Sequence, residues 1–558
     1  MAQINSQLLF LTTSPRTPEK MIPEIKLLIK HFKGEEWNSE TQRKYMEVLR
    51  DEDFFNGQGA KDPAFSARDR INRAPKSLGF VKLSPRIELT PAGYCLINSQ
   101  RTDEIFLRQL LKFQIPSPFH KPTDKAANFC IKPYLEIIRL IRNLGTLKFD
   151  ELQIFGMQLT NYRNFDTIVN KIKKFREKKA KNEGNYKVFK KLYLHSELNK
   201  IYRDRINSGN IKTRESSDVS KGKFIVTQEN NTRDYADACI RYLRATELVN
   251  ISHYGKSLSI VQDRIDEVDY ILQTVDRKPK MFNNESEYMD YLGSINTPTL
   301  LTDNKELITR KIRELFPNTT LSPDANTESL KQLFSNLLNR QKTDIITKQI
   351  AEIKSFSKYN EIQKTFDDIT NNTLYDAPLM MEWNTWRAMT MLDGGSIKAN
   401  LNFDDYGAPL STASGNMSDI VCDYGDYLVC VEVTLSSGQR QYETEGEPVT
   451  RHMGKLKTAS GKPCYCLFIA PKINEACISH FYILHHLNLS LYGGKSTIIP
   501  LPLSVFRKMI EDSYKADYIP DPSHILSLFE ASNNYANSAN NEVEWYEKIL
   551  NKASHWLE

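Results

Sequence analysis

The most constraining stretch of this sequence is SDIVCDYGDYLVCVEVT, residues 418–434. Two runs rich in β-branched and aromatic residues flank the turn Tyr424-Gly425-Asp426, which predicts an antiparallel hairpin. Folding the chain about that turn brings Asp419 roughly opposite Glu432. Two carboxylates that face each other across a ladder destabilise the sheet, and a divalent cation between them would remove that repulsion. The stretch therefore predicts a hairpin that holds a hard cation such as Mg²⁺.

Further ionisable side chains lie near this hairpin in the sequence. Glu382 stands among apolar residues of a predicted helix, APLMMEWNTWRAMTML, where a carboxylate is costly unless it is paired or bound to a metal. The alternative is a solvent-facing position at the edge of the helix. Glu445 and Glu447 precede Pro448, which predicts a helix start, so helix capping competes with catalysis as their role. His452 is interpreted either as a structural histidine or as a group that transfers a proton or contacts phosphate.

The predicted elements after Tyr375 follow the order helix, hairpin, helix, strand, helix, strand and helix. This order matches the minimal core of the PD-(D/E)xK nucleases, in which carboxylates on adjacent strands hold a metal that polarises a phosphodiester. In those enzymes a lysine stands two residues after the strand glutamate, on the same face of the strand. Here that position is Thr434, which supplies no positive charge. The role therefore passes to a second metal or to nearby basic residues: Arg451, His452 and Lys455.

The N-terminal part of the chain predicts a winged helix, in which two helices and a β-hairpin follow each other and the second helix enters the DNA major groove. Residues 37–55 carry apolar side chains at helical spacing, and Asp62-Pro63 begins a second helix. Two strands joined at Ser84-Pro85-Arg86 follow. Basic residues on or just after the second helix are candidate DNA contacts: Arg68, Arg70, Arg73 and Lys76. The alternative is a small helical domain whose arginines are only solvated.

A second copy of this pattern is predicted downstream. Thr232 caps a predicted helix, TRDYADACIRYLRATELV, which carries Arg233 and Arg241, and VNISHYGKSLSIV follows as a short wing. Between the two copies, residues 171–191 contain ten basic side chains and two acidic ones. We interpret this run either as a stripe that faces DNA phosphates or as a solvated helix face.

A chain of 558 residues is too long for one hydrophobic core, so we predict a multidomain α+β protein. The N-terminal half is expected to be a helical DNA-recognition half with winged-helix-like subdomains. The predicted parts are recognition subdomain 1 (1–135), recognition subdomain 2 (136–275), a helical linker (276–355) and an α/β nuclease domain of the PD-(D/E)xK type (356–558).

Composition excludes several other classes of protein. The chain has 40% hydrophobic and 26% charged residues, as expected of an ordinary globular protein, and no apolar run approaches the roughly 20 residues that span a bilayer. Its first residues lack the basic and apolar regions of a signal peptide. The eight cysteines lack the spacing of a zinc site, which favours reduced thiols. We therefore expect a cytoplasmic protein with no membrane partner.

Segments in both halves carry a family resemblance. In the C-terminal half these are MEWNTW, GNMSDIV, CVEVTLSSG, EPVTRH and YCLFIAPKIN, and in the N-terminal half SPRTPEKMIPE, AFSARDR followed by GF, and TRDYADACIRYLR. In this order, over nearly the whole chain, they resemble the AlwI family of type IIS restriction endonucleases, which includes nicking enzymes. The segment 276–355 is the least similar part.

The resemblance implies a prokaryotic enzyme whose N-terminal half binds a short asymmetric site in double-stranded DNA. Its C-terminal half would cut a few base pairs outside that site, with one or two Mg²⁺ ions. Asp419, Glu432 and Glu382 match the family's active-site carboxylates, and Glu445 and His452 match its remaining active-site positions. Two basic residues of SPRTPEK match a motif expected to touch DNA: Arg16 and Lys20. Implied partners are a second nuclease subunit or a transient homodimer, for double-strand cleavage, and a cognate DNA methyltransferase.

Other functions remain open at this point. A winged-helix regulator would bind DNA without cutting it and would leave the facing Asp419 and Glu432 unexplained. A repair or transposition nuclease of the PD-(D/E)xK type would cleave at structures or ends rather than at a fixed distance from a short sequence. A metal-free scaffold is favoured only by the threonine at position 434.

Overall fold

The computed structural model describes all residues of the chain except 1–3, 5, 53, 56–61, 122–127, 214, 393–394, 414–416 and 517–519. The described residues divide into two units, one built mainly from the chain up to Asn336 and the other from Leu337–Glu558. Each unit contains helices and strands, so the chain is a mixed α and β protein. Within the described ranges, no helix is both long and apolar enough to cross a membrane.

The N-terminal unit is mostly helical and carries small β-sheets. Its α-helices are α1 (Met21–Phe32), α2 (Ser39–Arg50), α3 (Pro63–Ile71), α4 (Ala74–Ser77), α5 (Pro91–Asn98), α6 (Asp103–Lys112), α7 (Pro133–Leu144), α8 (Phe149–Ile154), α9 (Phe165–Ala180), α10 (Tyr186–Ile201), α11 (Arg203–Asn207), α12 (Lys221–Arg244), α13 (Ile265–Thr274), α14 (Glu285–Gly293) and α15 (Lys305–Leu315). Its strands are β1 (Val81–Lys82), β2 (Glu88–Leu89), β3 (Leu147–Lys148), β4 (Val249–Ser252) and β5 (Ser257–Ile260), ordered β1-β2 and β3-β5-β4. The boundary between the units lies within α16 (Thr327–Lys354).

The first predicted helix–helix–hairpin segment is confirmed in its order but not in its second strand. Asp62 caps α3 by accepting from Phe65 N–H, and β1 and β2 pair with Val81 opposite Leu89. The second strand stops after two residues, because Thr90 accepts from Gly93 N–H and starts α5 at Pro91. The stretch predicted to finish the wing is therefore a helix. The winged-helix assignment itself stays a prediction.

The second predicted segment contains the expected hairpin, but its helix starts earlier than expected. The helix α12 begins at Lys221, where the Ser220 side chain accepts from Lys223 N–H. Thr232 is buried in the middle of α12 and donates its hydroxyl to Glu229 O, so the prediction that it caps a helix was wrong. A threonine hydroxyl can bond a preceding carbonyl inside a helix as readily as it caps one. The stretch predicted as a wing forms the β4–β5 hairpin, and β3 pairs with β5 at the edge of this sheet.

The stretch predicted as a helical linker packs into the N-terminal unit over residues 276–336. Leu292 of α14 is fully buried, and its carbonyl accepts from the Lys112 ammonium and the Gln109 amide of α6. Arg108, also on α6, donates to Pro298 O and to the Asp303 carboxylate. Apolar residues are sparse in this stretch because buried polar side chains of α6 provide many of its contacts with the rest of the N-terminal unit. The polar composition of residues 276–336 therefore suggested a linker, although these residues pack against the N-terminal unit.

Gly79 is expected to be intolerant of a side chain. Its φ of +79° is rarely adopted by other residues, and a Cβ there would lie 2.3 Å from Leu292 Cβ. We expect Gly79→Ala to lower the free energy of unfolding by about 2 kcal/mol, from left-handed strain and displacement of α14. Gly145→Ala, also at positive φ but in open space, is the matched control for the strain alone. Equal melting temperatures for the two variants would contradict the packing role of Gly79.

The C-terminal unit combines one mixed sheet with helices. Its elements are α17 (Tyr359–Thr370), α18 (Ala377–Leu392), β6 (Ser396–Ala399), β7 (Asn402–Phe403), β8 (Pro409–Ser411), β9 (Ile420–Asp423), β10 (Leu428–Val433), α19 (Gln439–Ser460), β11 (Cys464–Ala470), α20 (Glu475–His486), β12 (Ile498–Pro502), α21 (Leu503–Lys515), α22 (Pro522–Ser538) and α23 (Glu542–Ser554). This order confirms the predicted order of helices, hairpin and strands after Tyr375, except that the sequence did not predict β6, β7 and β8 between α18 and the hairpin.

The main sheet has the strand order β12-β11-β10-β9-β6. The strands β10, β11 and β12 are parallel, whereas β9 and β6 run antiparallel to their neighbours. The continuous apolar run of β11 follows from burial on both faces of a parallel strand. Pro500 and Pro502 lie in β12, at an edge of the sheet where a missing N–H is tolerated. The core includes three buried tryptophans: Trp386, Trp545 and Trp556.

The helix predicted to begin at Pro448 begins nine residues earlier, at Gln439, after Gly438 with a φ of +60°. Pro448 lies inside α19, where it lacks the N–H of a regular helical bond. Val449 and Met453, which follow it, are buried in the core. Packing of these residues outweighs the local signal of the proline. The alternative that Glu445 and Glu447 cap a helix that starts at Pro448 was therefore wrong.

Candidate active site

The hairpin predicted from the sequence brings the two central carboxylates side by side. The pairing of β9 with β10 sets Ile420 opposite Val431, and one step further Asp419 stands opposite Glu432. Asp419 Oδ2 accepts from Val433 N–H at 2.9 Å, and its backbone carbonyl accepts from Asn400 N–H. The strand β10 ends at Val433, so both carboxylates lie at its carboxyl end.

Glu432 is buried and Asp419 is half-buried, and each carboxylate carries an electrostatic penalty. Burial raises the pKa of Asp419 well above its usual range, and the negative charge of Glu432 raises it further. Burial also raises the pKa of Glu432, with repulsion from Glu445 and Glu382 acting in the same direction. Glu432 therefore lies within electrostatic reach of three other acidic side chains: Asp419, Glu445 and Glu382. Such a concentration of buried negative charge is typical of a site that binds a cation or holds a proton.

The helix α18 contributes Glu382, whose negative charge acts on Glu432. Glu382 Oε2 accepts from Ala413 N–H at 3.0 Å, and Glu382 is half-buried rather than solvent-facing. Trp386, one turn along α18, is buried in the core and fixes the rotation of the helix. The structure thus places Glu382 beside the hairpin carboxylates, as the ligand interpretation requires. Its role as a ligand remains a prediction.

Two side chains of α19 bond to β10 and complete the group. His452 Nδ1 lies 3.0 Å from Glu432 Oε1, and the Thr434 hydroxyl donates to Glu445 Oε1 at 2.8 Å. The partners are two residues apart on the strand and seven apart on the helix, spacings that keep each pair on one face. The five predicted catalytic residues are therefore gathered at one place. Glu447 instead forms an exposed ion pair with Arg451 at 3.0 Å.

His452 is neutral at physiological pH, because burial and the nearby Arg451 lower its pKa to about 4. A neutral imidazole that donates Nδ1–H to Glu432 presents Nε2 as a proton acceptor. Among the described residues, Nε2 is buried and has no hydrogen-bond partner. His452 therefore differs from a core histidine whose two ring nitrogens are both hydrogen-bonded.

The chemistry of the donor set fits Mg²⁺, since Asp419, Glu432 and Glu382 offer hard oxygen ligands in a region of repelling charge. As the side chains stand, however, no three histidine, cysteine or acidic groups of the described chain are close enough to hold a metal ion. The hydrogen bonds described above engage an oxygen of each carboxylate with a protein donor. A cation would therefore replace protein donors at these oxygens.

Sequence reasoning missed the residues that line a cavity of about 430 Å³ beside Glu382. Ser436, Ser437 and Arg440 lie on its wall, between the end of β10 and the first turn of α19. The serine-glycine turn before the helix was a possible signal, because small polar residues leave room for a phosphate. Ser418 was missed as well, and its side chain bonds to Glu432.

In the N-terminal unit, Arg16, Arg233 and Arg241 surround two acidic residues of α12. Arg16 lies 3.6 Å from Asp234 and 3.5 Å from Asp237, and Arg233 lies 3.7 Å from Asp234. Arg241 is mostly buried in an ion pair with Asp237 at 3.1 Å. The side chains of Arg16 and Arg233 are 59% and 57% exposed, so these two are accessible to a ligand. Lys20, another predicted contact, is also exposed.

The basic residues of α3 and α4 are engaged within the unit. Arg70 forms an ion pair with the buried Glu24, and Arg68 donates to Gln42 Oε1 at 2.9 Å. Arg73 pairs with Asp69 at 2.5 Å, although its side chain is exposed. Lys76 pairs with Glu285 at 2.5 Å and lies over the Phe119 ring. The structure therefore gives Arg70 and Lys76 a local packing role that the sequence did not reveal.

The basic run at 171–191 lies on α9, α10 and the turn between them. Lys178 and Lys179 lie over the rings of Tyr193 and Tyr186, whereas Arg176 is committed to the buried Glu151. Other basic residues of the run are exposed: Lys173, Lys174, Lys181, Lys187 and Lys191. The run therefore forms an exposed basic face, and tyrosine rings lie beneath two of its lysines. Its contact with DNA phosphates stays a prediction.

The model of the family described as AlwI restriction endonuclease matches residues 76–509, well over half of the chain. The chain belongs to the AlwI restriction endonuclease family. Membership makes it a restriction-type DNA nuclease, and the matched residues include the whole acidic group. The family resemblance expected from the sequence segments is therefore confirmed.

No curated protein matches this AlwI-family chain. One similar solved structure is the small subunit (R.BspD6I2) of the heterodimeric restriction endonuclease R.BspD6I, with 24% identity, a TM-score of 0.27, and coverage of 37% of this chain and 95% of that one. Another is the binding domain of the BpuJ1 endonuclease in complex with pyrene- and phenanthrene-modified DNA, with 13% identity, a TM-score of 0.33, and coverage of 50% and 92%.

Proposed function

We propose that this AlwI-family nuclease is a type IIS restriction endonuclease or a site-specific nicking endonuclease. It hydrolyses DNA phosphodiester bonds a few base pairs outside a short asymmetric duplex site, in a reaction that requires Mg²⁺. The observation that carries the proposal is the gathering of Asp419, Glu432, Glu382, Glu445 and His452 at the end of β10. A DNA-binding regulator or a scaffold has no need for this costly group of repelling, partly buried carboxylates.

Asp419, Glu432 and Glu382 are the residues that would hold Mg²⁺ in this mechanism. When bound, Mg²⁺ supplies Lewis-acid polarisation of the phosphoryl group and stabilises the developing charge. His452 Nε2 accepts a proton from the attacking water, while Glu432 orients the ring through Nδ1. Glu445 accepts from Thr434 and presents its other oxygen to the reacting group. Arg440, on the wall of the adjoining cavity, is placed to bind a DNA phosphate.

The N-terminal unit selects the DNA site in this proposal. Arg16, Lys20 and Arg233 are exposed and contact DNA, and the basic face at 171–191 adds salt-dependent affinity. The chain carries one acidic group of this kind among its described residues, which serves one strand at a time. Cleavage of both strands therefore needs a second nuclease subunit, a transient homodimer or a second binding event. A cognate DNA methyltransferase would protect the host site.

Incubation of the purified chain with supercoiled plasmid tests the proposed function. We expect conversion to nicked or linear plasmid in Mg²⁺ and no conversion in EDTA. Sequence-specific binding without nicks in Mg²⁺ would contradict the nuclease and support a regulator. Cleavage that depends on DNA ends or branched structures, rather than on a sequence, would contradict the restriction-type function.

Arg233→Ala is expected to weaken DNA binding about 3- to 10-fold and to reduce the salt slope of the binding constant by about one, because one phosphate contact is lost. Arg310→Ala is the control, since Arg310 lies on α15 in a similarly exposed ion pair with Glu314. Fluorescence anisotropy with a DNA duplex at several salt concentrations measures both constants. Identical salt slopes for Arg233→Ala and the wild type would remove Arg233 from the interface.

A further inference from the structure

The Thr434 hydroxyl is fully committed to two neighbours. It donates to Glu445 Oε1 at 2.8 Å and accepts from Ser436 N–H at 3.0 Å. A hydroxyl has one proton, and here that proton goes to Glu445. Thr434 is buried, so the bond lies in a low-dielectric environment where hydrogen bonds are strong. The residue that occupies the expected lysine position thus bonds to another side chain of the site.

We propose that Thr434 is a positioning residue that acts on DNA hydrolysis through Glu445. It holds Oε1 of Glu445 and leaves Oε2 to the reacting water or a cation. The inference rests on the proposed nuclease function and deepens it. Thr434 occupies the position of the expected lysine but carries no charge. Its contribution is to orient the Glu445 carboxylate of α19.

The pairing of β10 with α19 explains why position 434 has this effect. Glu432 and Thr434 point to the same face of the strand, about 7 Å apart. Their partners His452 and Glu445 are seven residues apart, about 10 Å along one face of the helix. The two bonds, Glu432–His452 and Thr434–Glu445, join strand to helix at two points. Loss of the second bond therefore releases Glu445 from Thr434, while the first bond still holds the helix to the strand.

A second hydroxyl on Glu445 supplies a matched control. Thr444 also donates to Oε1, at a longer distance of 3.2 Å, and its hydroxyl is shared with Arg440 O at 2.9 Å. Thr444 is exposed, so water replaces its hydroxyl when that hydroxyl is removed. The two threonines differ in burial while they bond the same carboxylate oxygen.

The kinetic test compares Thr434→Val, which removes the hydroxyl at constant shape, with Thr434→Ser, which keeps it. We expect Thr434→Val to lower kcat about 10- to 100-fold with KM nearly unchanged, as for loss of a residue that orients another. Thr434→Ser and Thr444→Val are expected to stay within about 3-fold of the wild type. When Glu445 is already replaced by Gln, adding Thr434→Val is expected to lower kcat no further. Wild-type kcat for Thr434→Val, or a full additional loss in that background, would overturn the proposal.

Crystal structures of Thr434→Val and Thr434→Ser give a readout that does not depend on activity. We expect Glu445 to turn away from β10 in the first variant and to keep its place in the second. If the wild-type chain cleaved no DNA, the proposed function would fail, yet these structures would still decide the Thr434–Glu445 relation. An unmoved Glu445 in Thr434→Val would overturn the inference even in an active nuclease.

Discussion

Asp419→Asn is expected to lower the rate of DNA cleavage by about 10³-fold or more while DNA binding stays within about 2-fold of the wild type. The asparagine oxygen can still accept from Val433 N–H, so the hairpin keeps its shape. What the variant loses is the negative charge beside Glu432, which the proposed mechanism needs for the cation. Each tenfold decrease in rate corresponds to about 1.4 kcal/mol of transition-state stabilisation, so the loss of several kcal/mol sets the size of the effect.

The control for this variant is Asp423→Asn at the other end of β9. Asp423 is exposed and pairs with Lys462 at 3.1 Å, so its loss is expected to leave cleavage within about 2-fold of the wild type. Plasmid cleavage in Mg²⁺ and gel-shift binding in Ca²⁺ give the rate and the affinity separately. Cleavage by Asp419→Asn at the wild-type rate would show that the catalytic centre lies elsewhere.

Glu136→Ala is expected to lower the free energy of unfolding of the N-terminal unit by about 3 kcal/mol. The Glu136 side chain is 0% exposed, and both of its oxygens accept from Arg277, at 2.9 and 2.7 Å. Arg277 belongs to the stretch that follows α13, so this ion pair attaches residues 276–336 to α7. Removal of the carboxylate leaves the half-buried Arg277 guanidinium without its ion-pair partner, still bonded to the Tyr162 carbonyl.

Urea denaturation of the full chain, followed by hydrogen exchange of the α7 amides, measures this effect. Arg142→Ala, which breaks an exposed ion pair with Asp269 nearly two turns further along α7, is expected to cost less than about 1 kcal/mol. Equal losses in the two variants would contradict the attachment of residues 276–336 through Glu136. Unchanged exchange of α7 in Glu136→Ala would do the same.

The hairpin and the buried strand could be predicted because local signals and tertiary packing agree there. The turn at Gly425, with a φ of +87°, fixes the register that sets Asp419 opposite Glu432. The apolar run of β11 has no charged residue that would let it lie at the surface. Both therefore follow from a few neighbouring residues, without knowledge of the rest of the chain.

Other features depend on partners that are distant in the sequence. Pro448 looks like a helix start, yet the buried Val449 and Met453 continue α19 through it. The bond between Thr434 and Glu445 requires the orientation of α19 against β10, which the sequence pattern does not give. The sequence predicts Arg70 as a DNA contact, but in the structure it pairs with Glu24, which lies 46 positions away in the sequence. Charge alone could not distinguish a residue that binds DNA from one that supports the fold.

Run-off sequencing of both strands of a cleaved plasmid tests the central claim most directly. The plasmid is incubated with the wild-type chain, and in parallel with Asp419→Asn, in Mg²⁺. The account predicts that the wild-type chain breaks the DNA at one fixed distance outside one short asymmetric sequence, and that Asp419→Asn produces no breaks. Breaks at scattered positions, or an unchanged break pattern with Asp419→Asn, would contradict it.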